Sequence, residues 1–530
     1  MAAESPARLV PVWRELLCDG VTPVEVYARL RTFQRDGGGP LAHLTFMLES
    51  VGAGGERWAR YSVVGIGCRA RITGAWRDGG LDLEIEAAPG FSLPAGVAAH
   101  SRGLAALESM MAAFHGPPAP GLPRFWGGLV GVWGHDMVRV FEQFPPGTDT
   151  ARVSDLPALD LVVSDTVVVF DNFSQRVQIV AVACPESDGG LEAATAAARA
   201  RVDEVAALLD SPHMLRPQRL PALASATPDA VPTAPWTREG YLEAVRRARA
   251  YISAGDIFQV VLSQRFTAPR GRTGVVDLYR MLRVTNPAPY MYLFELPSAT
   301  LIGASPEVLV RLDREALAPA VSGAQLAAPP AQGGLRVTLR PIAGTRPRGK
   351  DAGEDEALAS ELLADAKERA EHLMLVDLGR NDLGRVCAPG SVRVTESFAL
   401  ERYSRVMHIV SEVQGELRAG LTALDALRAA FPAGTLSGAP KIRALQIIDE
   451  LEPAARGWYG GAVGYLGFDG AADFAICIRS MIATGDQLRV QAGAGLVFDS
   501  VPEAEDRECQ AKASAVLRAI AMAQALRGPG

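Results

Sequence analysis

Short apolar runs dominate the first 210 residues of the chain and predict β-strands. The runs that we assign as strands cover residues 42–50, 61–67, 81–86, 161–170 and 176–184. Runs of this length, rich in branched and aromatic side chains and bounded by turn residues, are typical of buried or half-buried strands. An alanine-rich segment at 191–209 predicts a helix. This part of the chain is therefore expected to be mainly β-sheet.

Closely spaced prolines at residues 211–235 interrupt the apolar pattern and predict a linker. Thr237 then lies where it can cap a helix over 238–254. A stretch rich in proline, glycine and alanine at 316–334 predicts an exposed insertion. The remaining pattern predicts strands at 257–266, 291–295, 308–312, 336–342, 406–415, 462–466, 474–482 and 488–492, and helices at 422–430, 441–450 and from 503 onward.

Strands and helices follow one another in mixed runs, without regular β-α alternation or an internal repeat. This order predicts an α+β fold, in which mixed or antiparallel β-sheets pack in a sandwich-like core with helices on the outside. The predicted divisions are an N-terminal tail at 1–20, an N-terminal domain at 21–210, the linker at 211–235 and a second domain at 236–525.

A stripe of carboxylates runs along one face of the helix predicted over 362–382. Asp365, Glu368 and Glu371 are three residues apart, which places them on one helix face. The opposite, apolar face is predicted to contain Leu362, Ala366, Ala370, Leu373 and Met374. Taken alone, such an acidic stripe is typical of a solvated helix surface.

The same acidic spacing returns near the C-terminus, which changes this interpretation. Glu505 and Glu508 are three residues apart, and Lys512 follows one turn later. Two acidic helices that face each other across a cleft would hold a hard cation. Mg²⁺ fits this arrangement because it takes oxygen ligands and completes its shell with water and substrate oxygens.

Two further features indicate an anionic small molecule as ligand. Arg479 lies among apolar neighbours, and a buried guanidinium needs an anionic partner. The segment Gly493-Ala494-Gly495 offers backbone N–H groups that suit a carboxylate as well as a phosphate. A Walker lysine pattern is absent from the sequence, so nucleotide binding is not expected.

Composition and charge narrow the class of protein. The formal net charge of −7 argues against nucleic acid or an anionic membrane as the main partner. Six cysteines are scattered without a C-x-x-C pair, which indicates reduced thiols. The N-terminus lacks the pattern of a secretory signal, and no apolar run reaches the length of a membrane span. We therefore expect a soluble, cytoplasmic protein with no nucleic-acid or membrane partner.

Residues 241–525 resemble the chorismate-binding domain shared by anthranilate, aminodeoxychorismate, isochorismate and salicylate synthases. The motifs that carry this resemblance are Ile257-Phe-Gln-Val-Val-Leu-Ser263, Gly303-Ala-Ser-Pro-Glu307, Pro341-Ile-Ala-Gly-Thr345, Ala370-Glu-His-Leu-Met-Leu-Val-Asp-Leu-Gly-Arg-Asn-Asp382, Gly434-Thr-Leu-Ser-Gly-Ala-Pro-Lys441 and Gln491-Ala-Gly-Ala-Gly495. Residues 21–184 resemble the N-terminal domain of anthranilate synthase component I, through Met47-Leu-Glu-Ser50 and Phe125-Trp-Gly-Gly-Leu-Val-Gly131. The resemblance implies a regulatory domain at 21–210 and a catalytic domain at 236–525.

The resemblance implies a role for each matching position. Glu371 and Glu508 would bind Mg²⁺, with Glu368 and Glu505 supporting them directly or through water, and the metal would hold the ring carboxylate of chorismate. The implied catalytic residues are Glu307, as the acid that protonates the departing C4 hydroxyl, His408 and Thr435. The implied substrate-binding residues are Gln259, Gly344, Thr345, Tyr459, Arg479, Gly493, Ala494, Gly495 and Lys512. Among these, Arg479 and Tyr459 would face the enolpyruvyl carboxylate.

Two positions distinguish between members of the resembled family. Isochorismate- and salicylate-forming members carry a water-activating lysine where this chain has Gln259. Aminodeoxychorismate synthases typically carry a nucleophilic lysine where this chain has Ala343. The resemblance therefore implies attack by ammonia, aromatisation and the activity of an anthranilate synthase. Aminodeoxychorismate synthase component I is the alternative, and a non-catalytic chorismate or amino-acid sensor is a third hypothesis.

Partners and regulation follow from the same resemblance. The sequence contains no cysteine in a Gly-x-Cys-x-Gly elbow, so a separate glutamine amidotransferase subunit is expected to supply ammonia. The resemblance also implies feedback inhibition by L-tryptophan, in the first committed step of tryptophan biosynthesis. The matching positions of the tryptophan site are Ser50, Pro289, Tyr290 and Met291.

Overall fold

Helices and strands alternate irregularly along the chain in the computed structural model, which describes residues 9–37, 41, 44–51, 60–116, 121–144, 154–221, 231–232, 236–314, 334–403 and 406–526. Eleven α-helices lie within these residues. They are α1 (Pro23–Gly37), α2 (Ala105–Ala113), α3 (Val138–Phe141), α4 (Leu191–Leu209), α5 (Arg238–Ser253), α6 (Val275–Thr285), α7 (Ala352–Ala364), α8 (Ala366–Gly384), α9 (Ala423–Ala430), α10 (Lys441–Leu451) and α11 (Pro502–Ala525).

The strands of the described residues form two antiparallel sheets. The strands are β1 (Val10–Leu16), β2 (Thr45–Glu49), β3 (Tyr61–Ile66), β4 (Ala70–Arg77), β5 (Gly80–Ala87), β6 (His100–Arg102), β7 (Gly128–Trp133), β8 (Leu159–Ser164), β9 (Thr166–Asp171), β10 (Arg176–Ala183), β11 (Val231–Pro232), β12 (Gln259–Pro269), β13 (Tyr290–Glu295), β14 (Thr300–Ser305), β15 (Val308–Asp313), β16 (Arg336–Leu339), β17 (Ile342–Pro347), β18 (Arg393–Arg402), β19 (Val406–Glu416), β20 (Gly438–Ala439), β21 (Ala462–Gly467), β22 (Ala472–Ile476), β23 (Ser480–Thr484) and β24 (Gln487–Leu496). The first sheet has the order β1-β10-β9-β3-β2-β13-β14-β23-β24-β12-β11, with β20 also on β12. The second has the order β17-β19-β16-β15-β22-β21-β7-β8-β4-β5-β6, with β18 also on β19.

Both sheets combine strands from the two halves of the chain. In the first sheet β2 pairs with β13, and Glu49 lies opposite Met291. In the second sheet β7 pairs with β21, and Gly131 lies opposite Gly464. The segments before and after the proline-rich region therefore share their sheets.

The hydrophobic core has two layers. One buried cluster contains side chains of both sheets, including Phe46 and Phe294 of the first sheet and Phe474 of the second. The other cluster lies on the outer face of the first sheet, where α1, α4, α6 and α11 cover it. Helix α8 packs on β17 and β19 of the second sheet. This arrangement confirms the predicted α+β fold with a sandwich-like core and outer helices.

Glycines allow β7 to lie at the centre of the second sheet. A Cβ atom on Gly128 would lie 2.1 Å from the Leu466 carbonyl oxygen, and one on Gly131 would lie 2.2 Å from the Asp160 carbonyl oxygen. Both distances are far below contact, so no side chain fits at either position. The glycine-rich run at 127–131 thus serves close strand pairing.

Several elements differ from the sequence prediction. Residues 10–16 are not part of a loose tail, because Val10–Leu16 pairs with β10 along its whole length. Helices α1, α2, α3 and α6 were not predicted, and neither was the part of α7 before residue 362. The strand predicted at 474–482 is two strands, since β22 and β23 are separated by a break at 477–479 that places Arg479 in the left-handed region with φ of 52°.

The acidic helix predicted over 362–382 is also two helices. Asp365 begins α8 as its N-cap, and its side chain accepts hydrogen bonds from the backbone N–H groups of Lys367 and Glu368. The predicted apolar face is wrong, because Ala366, Ala370 and Leu373 are exposed. The buried residues of α8 are instead His372, Leu375, Val376, Gly379, Asp382 and Leu383.

Some predictions fall on parts of the chain outside the described residues. They are the first eight residues of the tail, residues 222–230 and 233–235 of the linker, and the insertion up to residue 333. Where the linker ends, Thr237 caps α5 as predicted, since its hydroxyl oxygen accepts a hydrogen bond from Gly240 N at 3.1 Å. A search of the described residues finds no helix with the length and apolarity needed to cross a membrane.

Candidate active site

The two paired strands β12 and β24 form the floor of the candidate active site. Antiparallel pairing sets Val261 opposite Gly495 and Ser263 opposite Gly493. A Cβ atom on Gly495 would lie 2.9 Å from Gln259 Nε2. A Cβ atom on Gly493 would lie 3.0 Å from the Tyr459 hydroxyl oxygen. The glycines therefore leave room for the side chains of Gln259 and Tyr459 over the strands.

The acidic positions of α8 and α11 face the same space. Gln259 Nε2 lies 3.5 Å from Glu371 Oε1, a long hydrogen bond that joins β12 to α8. Burial raises the pKa of Glu371, and the charges of Glu368 and Glu508 raise it further. Burial also raises the pKa of Glu505, with a smaller contribution from Glu508. Carboxylates from the two helices thus lie close enough to disfavour one another's ionised forms.

Basic side chains partly balance this negative charge. Lys512 Nζ lies 2.7 Å from Glu508 Oε1 and donates a hydrogen bond to the Gly493 carbonyl oxygen at 3.0 Å. Arg346 Nη1 lies 3.3 Å from Glu368 Oε1. Within the described part of the chain, no three His, Cys, Asp or Glu side chains form a ready-made metal-binding group. The predicted metal ligands are therefore gathered in one cleft but are not closed around one point.

Glu307 lies between β14 and β15 as a half-buried acid. Its Oε1 accepts a hydrogen bond from the Thr435 hydroxyl at 2.9 Å. Burial raises the pKa of Glu307 to about 7, while the Thr435 bond and the charge of Lys512 act in the opposite direction. A carboxyl group in this environment is protonated in a large fraction of molecules near neutral pH. It can therefore act as a general acid.

His408 lies on β19, beside the β17 segment that carries Gly344 and Thr345. Its Nδ1 lies 2.9 Å from the Gly344 carbonyl oxygen and 3.1 Å from the Thr345 hydroxyl. A carbonyl oxygen only accepts hydrogen bonds, so Nδ1 carries the proton and Nε2 is left as a proton acceptor. Burial lowers the pKa of His408, the direction expected for a neutral imidazole.

Gly344 lies where β17 approaches the acidic helix. Its φ is 68°, and a Cβ atom there would lie 2.8 Å from Leu362 Cδ1 and 3.2 Å from Glu368 Oε2. Glycine is the residue that tolerates both this backbone conformation and this contact. The segment of Gly344, Thr345 and His408 is thereby held against the start of α8.

Arg479 lies in the break between β22 and β23 and points toward α11. Its Nη1 donates a hydrogen bond to the Lys512 carbonyl oxygen at 2.8 Å. Burial lowers the pKa of Arg479, while the nearby Tyr459 and Glu508 favour its charged form. The strained φ at this residue fixes a half-buried guanidinium beside Tyr459, in a position to receive an anionic ligand group.

The predicted catalytic, substrate-binding and metal-binding positions are therefore linked by contacts or charge into one cleft. Sequence reasoning missed several residues that hold the cleft together. They are Arg346, Asp382, Lys441, Glu452 and Arg456. Lys441 Nζ lies 3.2 Å from Asp382 Oδ1 and joins the 434–441 motif to α8. Asp382 and Lys441 both lie within motifs that were recognised in the sequence. They are far apart along the chain, so no local pattern indicated that they form a pair.

A second cavity, of about 440 Å³, lies apart from these residues. Ser50, Pro289, Tyr290 and Met291 all line it, as do Arg124 and Asp473. The pairing of β2 with β13 brings the two segments together, and Val51 N donates to the Ala288 carbonyl oxygen at 3.1 Å. The Tyr290 hydroxyl donates to Asp473 Oδ1 at 3.0 Å and so joins the first sheet to the second.

Comparison with known proteins agrees with this geometry. A family model described as chorismate binding enzyme matches residues 59–324 and 328–518. The chain is 44% identical over 516 residues to anthranilate synthase component 1 of Pseudomonas aeruginosa, covering 97% of this chain and 96% of that protein. It is 44% identical over 522 residues to anthranilate synthase component 1 of Thermus thermophilus, covering 98% of this chain and 99% of that protein.

A solved structure resembles the fold over most of its length. The crystal structure of anthranilate synthase component I from Streptococcus pneumoniae superposes with a TM-score of 0.69 and 34% sequence identity, covering 87% of this chain and 92% of that chain. The extent of these matches, over both halves of the chain, confirms the resemblance found in the motifs. The chain belongs to the chorismate-binding enzymes and, among them, to the anthranilate synthase component 1 family.

Proposed function

We propose that this enzyme converts chorismate and ammonia to anthranilate, pyruvate and water, with Mg²⁺ as cofactor. The observation that carries the proposal is the pair formed by Glu307 and Thr435. Departure of the C4 hydroxyl needs a proton, because hydroxide is a poor leaving group. A carboxyl group whose pKa burial raises to about 7 holds that proton at neutral pH.

The nucleophile is ammonia, since the chain offers neither of the alternatives used by related enzymes. Gln259 is an amide and has no basic nitrogen with which to activate water for attack at C2. Ala343, on β17, has no amine with which to form a covalent bond to the ring. Ammonia adds to C2 as the hydroxide leaves C4 as water. Loss of pyruvate from the aminated intermediate then gives the aromatic ring.

Arg479, Tyr459 and the backbone of residues 493–495 are suited to the enolpyruvyl carboxylate. Arg479 keeps its positive charge in a half-buried position, where Tyr459 and Glu508 favour that charge. A carboxylate that enters this space would gain charge-assisted hydrogen bonds from the guanidinium. His408, protonated on Nδ1 and accepting on Nε2, is suited to proton transfer beside the ring.

The residues present fit a magnesium ion. Glu371, Glu505 and Glu508 offer oxygen ligands only. Burial raises the pKa of Glu371 and of Glu505, and the neighbouring carboxylates raise both further, which supports a site that a cation would stabilise. Mg²⁺ needs only one or two carboxylates and takes water or substrate oxygens for the rest. Glu371 and Glu508 would hold it, with Glu368 and Glu505 in support. When bound, the ion supplies the positive charge that fixes the ring carboxylate of chorismate.

We infer two further properties from the same family resemblance. A glutamine amidotransferase subunit supplies ammonia in the cell, and L-tryptophan inhibits the enzyme from the second cavity. The name component 1, given to the relatives, supports a second component. The meeting of Ser50, Pro289, Tyr290 and Met291 at one cavity supports a ligand site shared by both halves of the chain.

One assay separates this function from its alternatives. The isolated chain is incubated with chorismate, Mg²⁺ and an ammonium salt, and the products are separated and identified. Fluorescent anthranilate is expected, at a rate that rises with pH up to about 7, where NH₃ replaces NH₄⁺ while Glu307 still holds its proton. A stable, non-aromatic amine would indicate aminodeoxychorismate synthase, and unchanged chorismate would favour a sensor. Glutamine in place of ammonium should give no product, and product formation would reveal an amidotransferase site within this chain.

A further inference from the structure

A buried ion pair between Glu452 and Arg456 lies beneath the candidate active site. Both residues follow α10, and their side chains are 4% and 1% exposed. Arg456 Nη2 lies 2.7 Å from Glu452 Oε1, and Nε lies 2.9 Å from Oε2, which makes the pair bidentate. Burying two charges is costly, and a buried pair often adds nothing to stability compared with apolar side chains. The pair therefore calls for an explanation other than stability.

The remaining contacts of Arg456 join three segments of the site. Its Nη1 donates to the Leu436 carbonyl oxygen at 2.6 Å, next to Thr435. Its Nη2 donates to the Val261 carbonyl oxygen at 2.7 Å, two residues after Gln259 on β12. Its guanidinium lies 5.8 Å from the centroid of the Tyr459 ring. One side chain thus contacts the three segments that carry Thr435, Gln259 and Tyr459.

Glu452 extends the same network to β24. Its Oε1 accepts hydrogen bonds from Ser263 N at 2.9 Å and from the Ser263 hydroxyl at 2.8 Å. Ser263 Oγ in turn accepts a hydrogen bond from Gln491 Nε2 at 2.8 Å, two residues before Gly493. The network therefore ends at the strand that carries the glycines of the proposed carboxylate site.

We propose that Arg456, held by Glu452, is a positioning residue that fixes Thr435, Gln259 and Tyr459 relative to one another. The guanidinium fits this task because its donors point in several fixed directions in one plane, whereas a lysine ammonium is a single point. Arg456 acts through the groups it holds and does not contact the substrate. The kcat measurement rests on the proposed function, because it follows the formation of anthranilate. The Kd of chorismate is a second measurement that does not depend on which product forms.

The chain offers a matched control for the test. Arg29 pairs with Glu25 in α1, also four residues apart, with Arg29 Nε 2.9 Å from Glu25 Oε1. Arg29 also donates to a backbone carbonyl oxygen, that of Leu209 at 2.5 Å, and its side chain is 2% exposed. This pair joins α1 to the end of α4, away from the candidate active site. Arg456→Lys and Arg29→Lys therefore remove the same chemistry from equally buried places.

The experiment measures, for both variants and the parent enzyme, the unfolding midpoint, kcat per folded enzyme and the Kd of chorismate. Both substitutions should lower the unfolding midpoint by similar amounts. Arg456→Lys should lower kcat on the order of 10²-fold, the effect of misplacing reacting groups by about 1 Å. It should also weaken chorismate binding on the order of tenfold, equivalent to about 1.4 kcal/mol. Arg29→Lys should leave both quantities within the error of the parent values.

Equal kcat and equal chorismate Kd in the two variants would overturn the proposal and leave a merely structural pair. If Arg456→Lys does not fold, Glu452→Asp is compared with Glu25→Asp instead. Each of these substitutions keeps both charges of its ion pair and shortens only the acidic side chain. Parent enzyme that binds chorismate without forming anthranilate would instead contradict the proposed function. The chorismate Kd of the variants would then still decide whether Arg456 positions the site.

Discussion

At the scale of single residues, the environment of each carboxyl group decides its chemistry. Glu307 and Glu371 are both partly buried glutamates with a raised pKa, yet they have different neighbours. Burial raises the pKa of Glu307 to about 7, although the Thr435 hydroxyl and the charge of Lys512 act in the opposite direction, so the group holds a proton that it can donate. Burial also raises the pKa of Glu371, but here the charges of Glu368 and Glu508 raise it further, a repulsion that a cation would relieve. The two environments suit one residue type to two different proposed roles, an acid at Glu307 and a metal ligand at Glu371.

Replacing Thr435 by valine tests the role of Glu307 as the acid. The Thr435 bond lowers the pKa of Glu307, so its loss should raise that pKa. The proposed mechanism needs protonated Glu307, so the rate should fall as the pH rises through this pKa, near 7 in the parent. In Thr435→Val the fall should begin about one pH unit higher, since a hydrogen bond to a charged group contributes about 1.5 kcal/mol.

The measurement is the rate of anthranilate formation against pH, compared at a constant concentration of free NH₃. Glu307→Gln keeps the shape of the side chain without the transferable proton, so it should lower the rate by about 10²- to 10⁴-fold. An unchanged descending limb in Thr435→Val, or full activity in Glu307→Gln, would show that another group protonates the leaving hydroxyl.

At the scale of elements, the site depends on two acidic helices that pack on different sheets. Helix α8 packs on β17 and β19 of the second sheet, and α11 packs on β24 of the first. Each sheet therefore brings its own carboxylates to the cleft. Lys512 and Arg346 offset part of the charge by pairing with Glu508 and Glu368, but within the described residues no basic side chain forms an ion pair with Glu371.

Replacing Glu371 by glutamine should separate stability from activity. Because the folded protein raises the pKa of Glu371, the stability associated with its neutral form is lost as the pH rises through that pKa. Without Mg²⁺ at pH 7, Glu371→Gln should therefore unfold at a higher temperature than the parent. It should also lose turnover at ordinary Mg²⁺ concentrations, because one ligand charge is missing.

Glu508→Gln is the matched variant for this prediction. It should also lose turnover, but it should not gain stability, because Lys512 already pairs with Glu508 at 2.7 Å. Thermal unfolding with and without Mg²⁺ provides a readout separate from activity. Bound ion should raise the unfolding temperature of the parent and raise that of either variant less. Full turnover in either variant would remove that residue from the proposed metal ligands.

Much of this element order was predictable, because strands and caps depend on local pattern. Thr237 was recognisable as an N-cap from its place before an amphipathic segment. The start of α8 carried the same kind of signal, since Asp365 stands three residues before Glu368, but the apolar pattern on both sides suggested one continuous helix. Helix α1 was missed because its buried residues Val24, Val26 and Tyr27 are spaced closely enough to suggest a strand.

The site was predictable to the extent that its residues lie in motifs. The contacts between motifs were not, because they depend on pairing across the fold. The spacing of Glu452 and Arg456 is visible in the sequence as a helix-like pair. The pair matters because Arg456 donates hydrogen bonds to the carbonyl oxygens of Val261 and Leu436. No local sequence pattern connects either of these residues with Arg456.

At the scale of the whole molecule, the two cavities lie on one framework of shared sheets. Strand β13 pairs with β2 from the first half of the chain and with β14, which leads to Glu307. Tyr290, at the start of β13, is hydrogen-bonded to Asp473 on β22 of the other sheet. A ligand in the second cavity would therefore contact both sheets. Strand β14 would connect it to the segment that carries the proposed acid, Glu307.

Tryptophan should inhibit the enzyme, and Ser50→Arg should relieve that inhibition while leaving the uninhibited rate near that of the parent. Ser50 lies on the cavity wall directly after β2, where its hydroxyl can hydrogen-bond an amino-acid head group and Pro289 and Met291 offer apolar surface to an indole. Arginine would fill part of the cavity and add charge beside Arg124. Ser174→Arg, at an exposed position in the same half of the chain, is the control and should remain inhibited.

Coupling between the cavities must be reciprocal if tryptophan acts by favouring an arrangement of the sheets in which the cleft is incomplete. Chorismate should then weaken tryptophan binding by the same factor by which tryptophan weakens chorismate binding. Calorimetric titration of each ligand in the presence and absence of the other measures both factors. Unequal factors would contradict a two-site equilibrium, and an unchanged parent rate at millimolar tryptophan would show that Ser50 and Pro289 serve only the packing of β2 against β13.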